Sequence, residues 1–274
     1  MQAPSYAYAA ARIFDLSLGR MLWSRGTVFM GLVAGLPVLI GVLTLLLELS
    51  GVRMNARGVA AAGPMMFGFM IWTVYLRFVV PILALYYGTS LIADEVEDKT
   101  ITYLFTRPIP RGAVMVGKYL AYLICTTMVI LPSVILVYFL IVPRGGGHIG
   151  AEFPSLVVDL GLLFAGLAAY GALFAWVGAR FKRPLIMGLV FIFGWEPVSM
   201  LLPGYLKRWT VSYYLQSLVP HSVPATGDIQ DLLQTVFHEV APTWVALLVL
   251  AAVTGGFLWL ATRVVARREY VLEQ

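Results

Sequence analysis

The chain has 274 residues, of which 60% are hydrophobic and only 12% charged, and its formal net charge is +5. Soluble domains usually carry about 25% charged residues, so this composition predicts an integral membrane protein, and its length suits one membrane domain over residues 1–274. The basic residues are scattered beside apolar segments and form no patch interleaved with aromatic residues, so nucleic-acid binding is not expected. The single cysteine, Cys125, excludes a disulfide framework.

Six apolar segments approach or exceed the roughly 20 residues that a helix needs to cross a bilayer. They cover residues 28–49, 67–92, 119–142, 156–179, 185–202 and 243–262. Before them, residues 1–26 place Phe14, Leu18, Met21 and Leu22 on one face, which predicts an interfacial helix. A cleaved signal peptide is the alternative, but the apolar run that follows is too long and lacks a small-residue cleavage pattern. We therefore expect an all-α membrane protein with six transmembrane helices and an N-terminal interfacial helix.

Lysine and arginine are distributed unequally between the two sides of this six-span arrangement. Thirteen of the 19 fall on the side of the two termini and five on the other, while Arg77 lies inside the second span. The positive-inside rule then predicts cytoplasmic termini, a cytoplasmic segment 94–117 and an extracytoplasmic segment 203–242. The expected location is a bacterial-type cytoplasmic (inner) membrane.

The segment 94–117 is the only long polar interval between two strongly apolar segments. Asp94 and Glu97 have the spacing of a capping pair, and the acids of this turn suit the positive end of a helix dipole. We therefore predict a short helix that begins at Asp94 and ends near Pro108, lying on the cytoplasmic surface between spans two and three. The alternative is a solvated turn with no further role.

Two partial motifs predict neither a nucleotide site nor a metal site. Residues 112–118 match GxxxxGK, but Tyr119 follows and no strand precedes, so Lys118 is expected to extend to the membrane interface instead. His238 begins like HExxH, yet Pro242 occupies the second histidine position. Because no nucleophile with a nearby base is visible either, we expect no catalytic residues, no metal ligands and no enzymatic activity in this chain.

The acid-rich turn, Thr100, Leu104, Pro108, Arg111 and the Gly117–Lys118 pair resemble the cytoplasmic loop of type-2 ABC-transporter permeases. The family usually has glycine before the threonine, where this chain has Lys99. The resemblance implies a permease subunit that forms a homodimer or heterodimer and exports an unidentified substrate. It also implies separate ATP-binding cassette subunits, which hold ATP and magnesium and contact a coupling helix. The residues that the resemblance assigns to this contact are Asp94, Glu95, Glu97, Asp98, Thr100, Leu104, Pro108 and Arg111.

Two intramembrane charges, Arg77 and Glu196, leave other functions open. Unpaired charges inside a bilayer are costly, and both residues are expected about 15 Å deep, so we predict that they face the interior and pair. The alternative is that each is accommodated separately. A secondary transporter or channel would use the two charges along its pathway, although no internal repeat supports that class. A third possibility is a membrane component that serves assembly of an extracytoplasmic or cell-surface machine.

Overall fold

A computed structural model describes residues 5–50, 55–56, 59–60, 63–97, 110–144, 147–201, 205–220 and 241–267. The first part of the chain forms α1 (Tyr6–Leu22), α2 (Arg25–Leu49), the antiparallel pair β1 (Asn55–Ala56) and β2 (Val59–Ala60), α3 (Gly63–Met70), a π-helix (Ile71–Val79) and α4 (Val80–Glu97). The second part forms α5 (Arg111–Ile141), α6 (Ile149–Arg180), α7 (Pro184–Val190), a second π-helix (Phe191–Trp195), α8 (Glu196–Leu201), a 3₁₀-helix (Tyr205–Trp209), α9 (Val211–Gln216) and α10 (Thr243–Arg267).

The expected helical membrane fold is confirmed. Among the described residues, five helical segments are long and apolar enough to cross a bilayer: Gly26–Leu49, Gly63–Ile92, Arg111–Ile141, Ile149–Arg180 and Thr243–Arg267. The predicted fifth span corresponds to the shorter apolar segment Pro184–Ser199. At 1.5 Å per residue this segment is about 24 Å long, less than the roughly 30 Å hydrocarbon core.

The predicted helix start at Asp94 is wrong. The backbone of α4 continues through this residue to Glu97, so Asp94, Glu95 and Glu97 lie in the last turn of an existing helix. Extending an existing helix adds one hydrogen bond per residue, whereas a new start leaves four backbone N–H groups without helical partners. The spacing of the acids therefore did not decide the boundary.

Helix α1 packs against the beginning of α5 through its small residues. Ala9, Ala10 and Ile13 are buried, and a Cβ atom added to Gly117 would lie 2.6 Å from the carbonyl oxygen of Ala10. Of the predicted apolar face, Leu18 and Met21 pack against the core and Leu22 is exposed. Small residues allow two helix backbones to approach closely, which explains the close approach of Gly117 to Ala10 at this contact.

Helix α6 lies at the centre of the bundle, where it contacts α4, α5 and α10. A second close approach occurs where Gly178 of α6 meets the backbone of Thr89 in α4. At the end of the bundle away from α1, Arg144 donates to Thr44 Oγ1 at 3.0 Å and its Nε lies 3.7 Å from Glu48. These contacts join the end of α2 to the turn that follows α5.

Candidate functional site

The beginning of α5 joins four helices in what we call the junction, formed by Leu91, Arg111, Gly117, Lys118 and Ala266. Arg111 Nη1 donates to the carbonyl oxygen of Ala266 in α10 at 3.4 Å, and Lys118 Nζ donates to that of Leu91 in α4 at 2.9 Å. Gly117 completes the junction through its contact with α1. Lys118 therefore joins spans two and three. The sequence had predicted only that this side chain extends to the membrane interface.

The junction links α1, α4, α5 and α10 at the end of the bundle where segment 94–117 lies between α4 and α5. Helix α4 supplies Asp94, Glu95 and Glu97 in its last turn, and Arg111 opens α5. The intervening predicted contacts Asp98, Thr100, Leu104 and Pro108 lie outside the described residues.

The second group of predicted residues belongs to a buried polar network around Glu196, which is only 7% exposed. The Tyr170 hydroxyl of α6 lies 2.5 and 2.7 Å from the two carboxylate oxygens and donates to them. Ser212, at the start of α9, interacts electrostatically with this carboxylate. The Glu196 side chain of α8 therefore hydrogen-bonds to α6 and lies near α9.

The network extends in two directions from this carboxylate. Ser212 also interacts electrostatically with Tyr170. Gln216 Nε2 donates to Ser212 Oγ at 3.1 Å. On the other side, Arg77 interacts electrostatically with Glu196, and its Cζ atom lies 4.8 Å from the centre of the Trp72 ring. Below, the polar network means Arg77, Tyr170, Glu196, Ser212 and Gln216.

Both charges of the polar network lie in helix turns of unusual width. The N–H of Val80 bonds to the carbonyl of Tyr75, and that of Glu196 to the carbonyl of Phe191, so each bond spans five residues. Pro81 and Pro197 follow two residues after the π-helices end, and a proline ring clashes with the carbonyl four residues before it. The wider turn relieves that clash, and π-helical turns are frequent at functional sites.

Sequence reasoning found the two charges but missed their uncharged partners and one further acid. Tyr170, Ser212 and Gln216 are uncharged residues of common types, so nothing local predicts that α6 and α9 bring them together. Asp159 is fully buried in α6 and lies on the same side of that helix as Tyr170, three turns away. An acid within an apolar segment is a detectable signal, because buried intramembrane charges are rare.

The long apolar helices, the junction and the buried polar network together define a polytopic helical membrane protein. The family model described as "ABC-2 family transporter protein" matches residues 15–270, and the chain belongs to that family. The resemblance to type-2 ABC-transporter permeases is thereby confirmed, and the chain is a permease subunit of an ABC transporter. No curated protein is significantly similar to it.

Proposed function

We propose that this permease forms a dimer in the cytoplasmic (inner) membrane and exports its substrate with energy from ATP hydrolysed by a separate cassette subunit. ATP and magnesium would bind to that subunit, which would press on the coupling segment 94–117. The observation that carries the proposal is the junction, which joins the α5 flank of this segment to α1 and α10 and also to its α4 flank. The family match supports the permease role itself.

The proposal includes six membrane crossings, with α7, the second π-helix and α8 together as the fifth. Support comes from the chain ends, because a Cβ atom at Gly112 would lie 3.3 Å from Tyr6 Oη in α1 and 3.9 Å from Thr262 in α10. Helices near both termini therefore meet at one end of the bundle, as an even number of crossings requires. The positive-inside rule favours the cytoplasm for that end.

We expect cysteine substitutions at Lys99, Arg144, Lys182 and Lys207 to be labelled alternately from the cytoplasm and from outside. The measurement is modification by an impermeant maleimide in sealed inverted vesicles and in whole cells, with Cys125→Ala as background. Labelling of the Arg144 and Lys182 positions from the same side would contradict six crossings. Arg263, which makes a cation–π contact in α10, offers a control. A cysteine at this position should be labelled from the cytoplasm, as should a cysteine at the Lys182 position.

Coupling is tested by changing the segment between spans two and three. Glu97→Lys and Leu104→Asp are each expected to lower substrate-coupled ATP hydrolysis at least about fivefold, because coupling energies of 1–3 kcal/mol correspond to such factors. The measurement uses the chain purified together with its cassette subunit. Lys182→Glu is the matched control, because it reverses an exposed charge in another predicted cytoplasmic turn.

The outcomes of this experiment separate the candidate functions. Full coupled hydrolysis in both variants would remove the coupling role of segment 94–117. Failure of the wild-type chain to bind any cassette subunit would instead favour a secondary transporter that uses Arg77 and Glu196, or a component of an assembly machine. Correct membrane insertion is checked in every variant, so that a loss of activity is not confused with a loss of folding.

A further inference from the structure

The first π-helix, Ile71–Val79, divides the second span into two α-helical parts. It contains nine residues, whereas most π-helices are single turns within an α-helix, and the second π-helix has five residues. Met70 before it and Val80 after it have α-helical backbone angles. Both ends of the segment are thus compatible with an α-helix, in which each N–H bonds to the carbonyl four residues earlier and not five.

One contact inside the segment depends on its π-helical form. The guanidinium carbon of Arg77 lies 4.8 Å from the centre of the Trp72 ring, and the two residues are five positions apart. Bonds between residues five apart bring such a pair onto adjacent turns of a π-helix. In an α-helix, with 3.6 residues per turn, the same pair would be rotated by about 140° and would not face each other. This cation–π contact therefore favours the π-helix.

Pro81 acts against the α-helical form from the end of the segment. An α-helix would bond the N–H of position 81 to the carbonyl of Arg77, but proline has no N–H and its ring clashes with that carbonyl. The N–H of Val80, just before it, bonds to the carbonyl of Tyr75 in the π-helical pattern. Pro81 and the Trp72–Arg77 contact thus both disfavour the alternative form.

The Tyr75 side chain holds the middle of the segment in place. It is fully buried, and its hydroxyl lies 2.8 Å from Ser133 Oγ of α5, which in turn donates to the carbonyl of Ala34 in α2. A π-helical turn holds about one residue more than an α-helical turn, and each residue of an α-helix turns the chain by about 100°. A change of form would therefore rotate α3 against α4 about this fixed point.

We propose that the first π-helix is a conformational switch that converts to an α-helix during the transport cycle. This inference rests on the proposed function for the source of the movement, because α4 runs into the coupling segment 94–117. Conversion breaks the Trp72–Arg77 contact, turns the Arg77 charge to another face of span two and rotates α3 at the end of the bundle away from α1. Trp72, Tyr75 and Pro81 are positioning residues in this scheme, since no contact with substrate is required of them.

The test measures how close two thiols lie within the switch, using the purified full chain in detergent without nucleotide. Thr73→Cys and Phe78→Cys, five residues apart, are combined in a Cys125→Ala background, and the short crosslinker dibromobimane joins them only on adjacent turns. Pro81→Ala is expected to lower the crosslinking rate at least about fivefold, because it supplies the missing N–H and removes the ring clash. Trp72→Leu should lower it about twofold or more, since the cation–π contact is lost.

Two controls identify effects that are unrelated to the switch. Val74→Cys with Phe78→Cys, four residues apart, lies on adjacent turns in both forms, so its crosslinking should stay within about twofold in every variant. Pro154→Ala makes the same substitution inside α6 and should leave crosslinking of the five-residue pair unchanged. Equal rates in the Pro81→Ala and Pro154→Ala variants would overturn the switch. If size exclusion shows that Pro81→Ala does not fold, Trp72→Leu decides by the same comparison.

A second arm separates the switch from the proposed function. In the complex with the cassette subunit, ATP is expected to lower the crosslinking rate of the Thr73–Phe78 pair about threefold or more, and Leu104→Asp is expected to abolish that decrease. Normal coupled ATP hydrolysis without any change in crosslinking would contradict the switch and leave the proposed function standing. Failure of the chain to bind any cassette subunit would contradict the proposed function, and the Pro81→Ala comparison would still decide whether the segment converts.

Discussion

Replacing Gly178 by alanine is expected to lower the free energy of unfolding by about 1–3 kcal/mol, the usual cost of overpacking. The added methyl group would overlap the carbonyl oxygen of Thr89 and lie 2.9 Å from its Cα atom. A backbone atom cannot turn aside as a side chain can, so α4 and α6 would have to separate. We expect a lower midpoint of thermal unfolding in detergent, and Gly178→Val should decrease it further.

Gly161→Ala is the matched control for this change. The glycine lies on the same helix, and a Cβ atom there would have no neighbour within 4 Å. Alanine is favoured over glycine within a helix by about 0.5–1 kcal/mol, so this variant should be neutral or slightly stabilising. A Gly178→Ala variant as stable as Gly161→Ala would show that α4 and α6 do not approach as closely as described.

The second large effect is expected in the polar network. Glu196→Leu removes the acceptor of the buried Tyr170 hydroxyl, and the loss of such a hydrogen-bond partner costs about 1–3 kcal/mol. Arg77→Leu leaves a buried carboxylate without its electrostatic partner. Each variant should be destabilised, and the double variant should recover about 0.5–3 kcal/mol of the summed loss. Thermal unfolding of the four proteins gives this coupling energy directly.

A pair of residues that are not in contact tests whether the recovered stability is specific to Arg77 and Glu196. Ser133→Ala removes a hydroxyl that bonds to Tyr75 and to the carbonyl of Ala34, with no group shared with Glu196. Its loss and that of Glu196→Leu should add within about 0.5 kcal/mol. Strictly additive losses for Arg77 and Glu196 would mean that the two charges are accommodated separately.

Hydropathy predicted the long helices well because each segment that crosses the bilayer must be apolar along its own length. Helices α2, α6 and α10 enclose the predicted spans, and their extra turns lie where the apolar run has ended but backbone hydrogen bonding continues. The same local signals misplaced the helix start at Asp94, since the cooperativity of α4 outweighs an acidic capping pattern. Local patterns thus predicted which segments are helical better than where each helix ends.

The polar network could be predicted only in part. Arg77 and Glu196 were detectable because charge inside an apolar segment is rare, and their similar depth followed from helix geometry. Tyr170 and Ser212 were not detectable, because their role depends on which helices pack together and on α9 returning into the bundle. Pro81 and Pro197 were visible in the sequence, but the π-helical turns before them depend on how each helix relieves the clash.

The bond between Arg111 and Ala266 also bears on biosynthesis. The two residues are 155 positions apart, so the carbonyl that receives the guanidinium leaves the ribosome long after α5 has been made. Chains fold from the N-terminus as they emerge, at about 5–20 residues per second. At that pace the interval is roughly ten to thirty seconds. A nascent chain therefore completes its junction only when α10 has been inserted, and truncated products lack it.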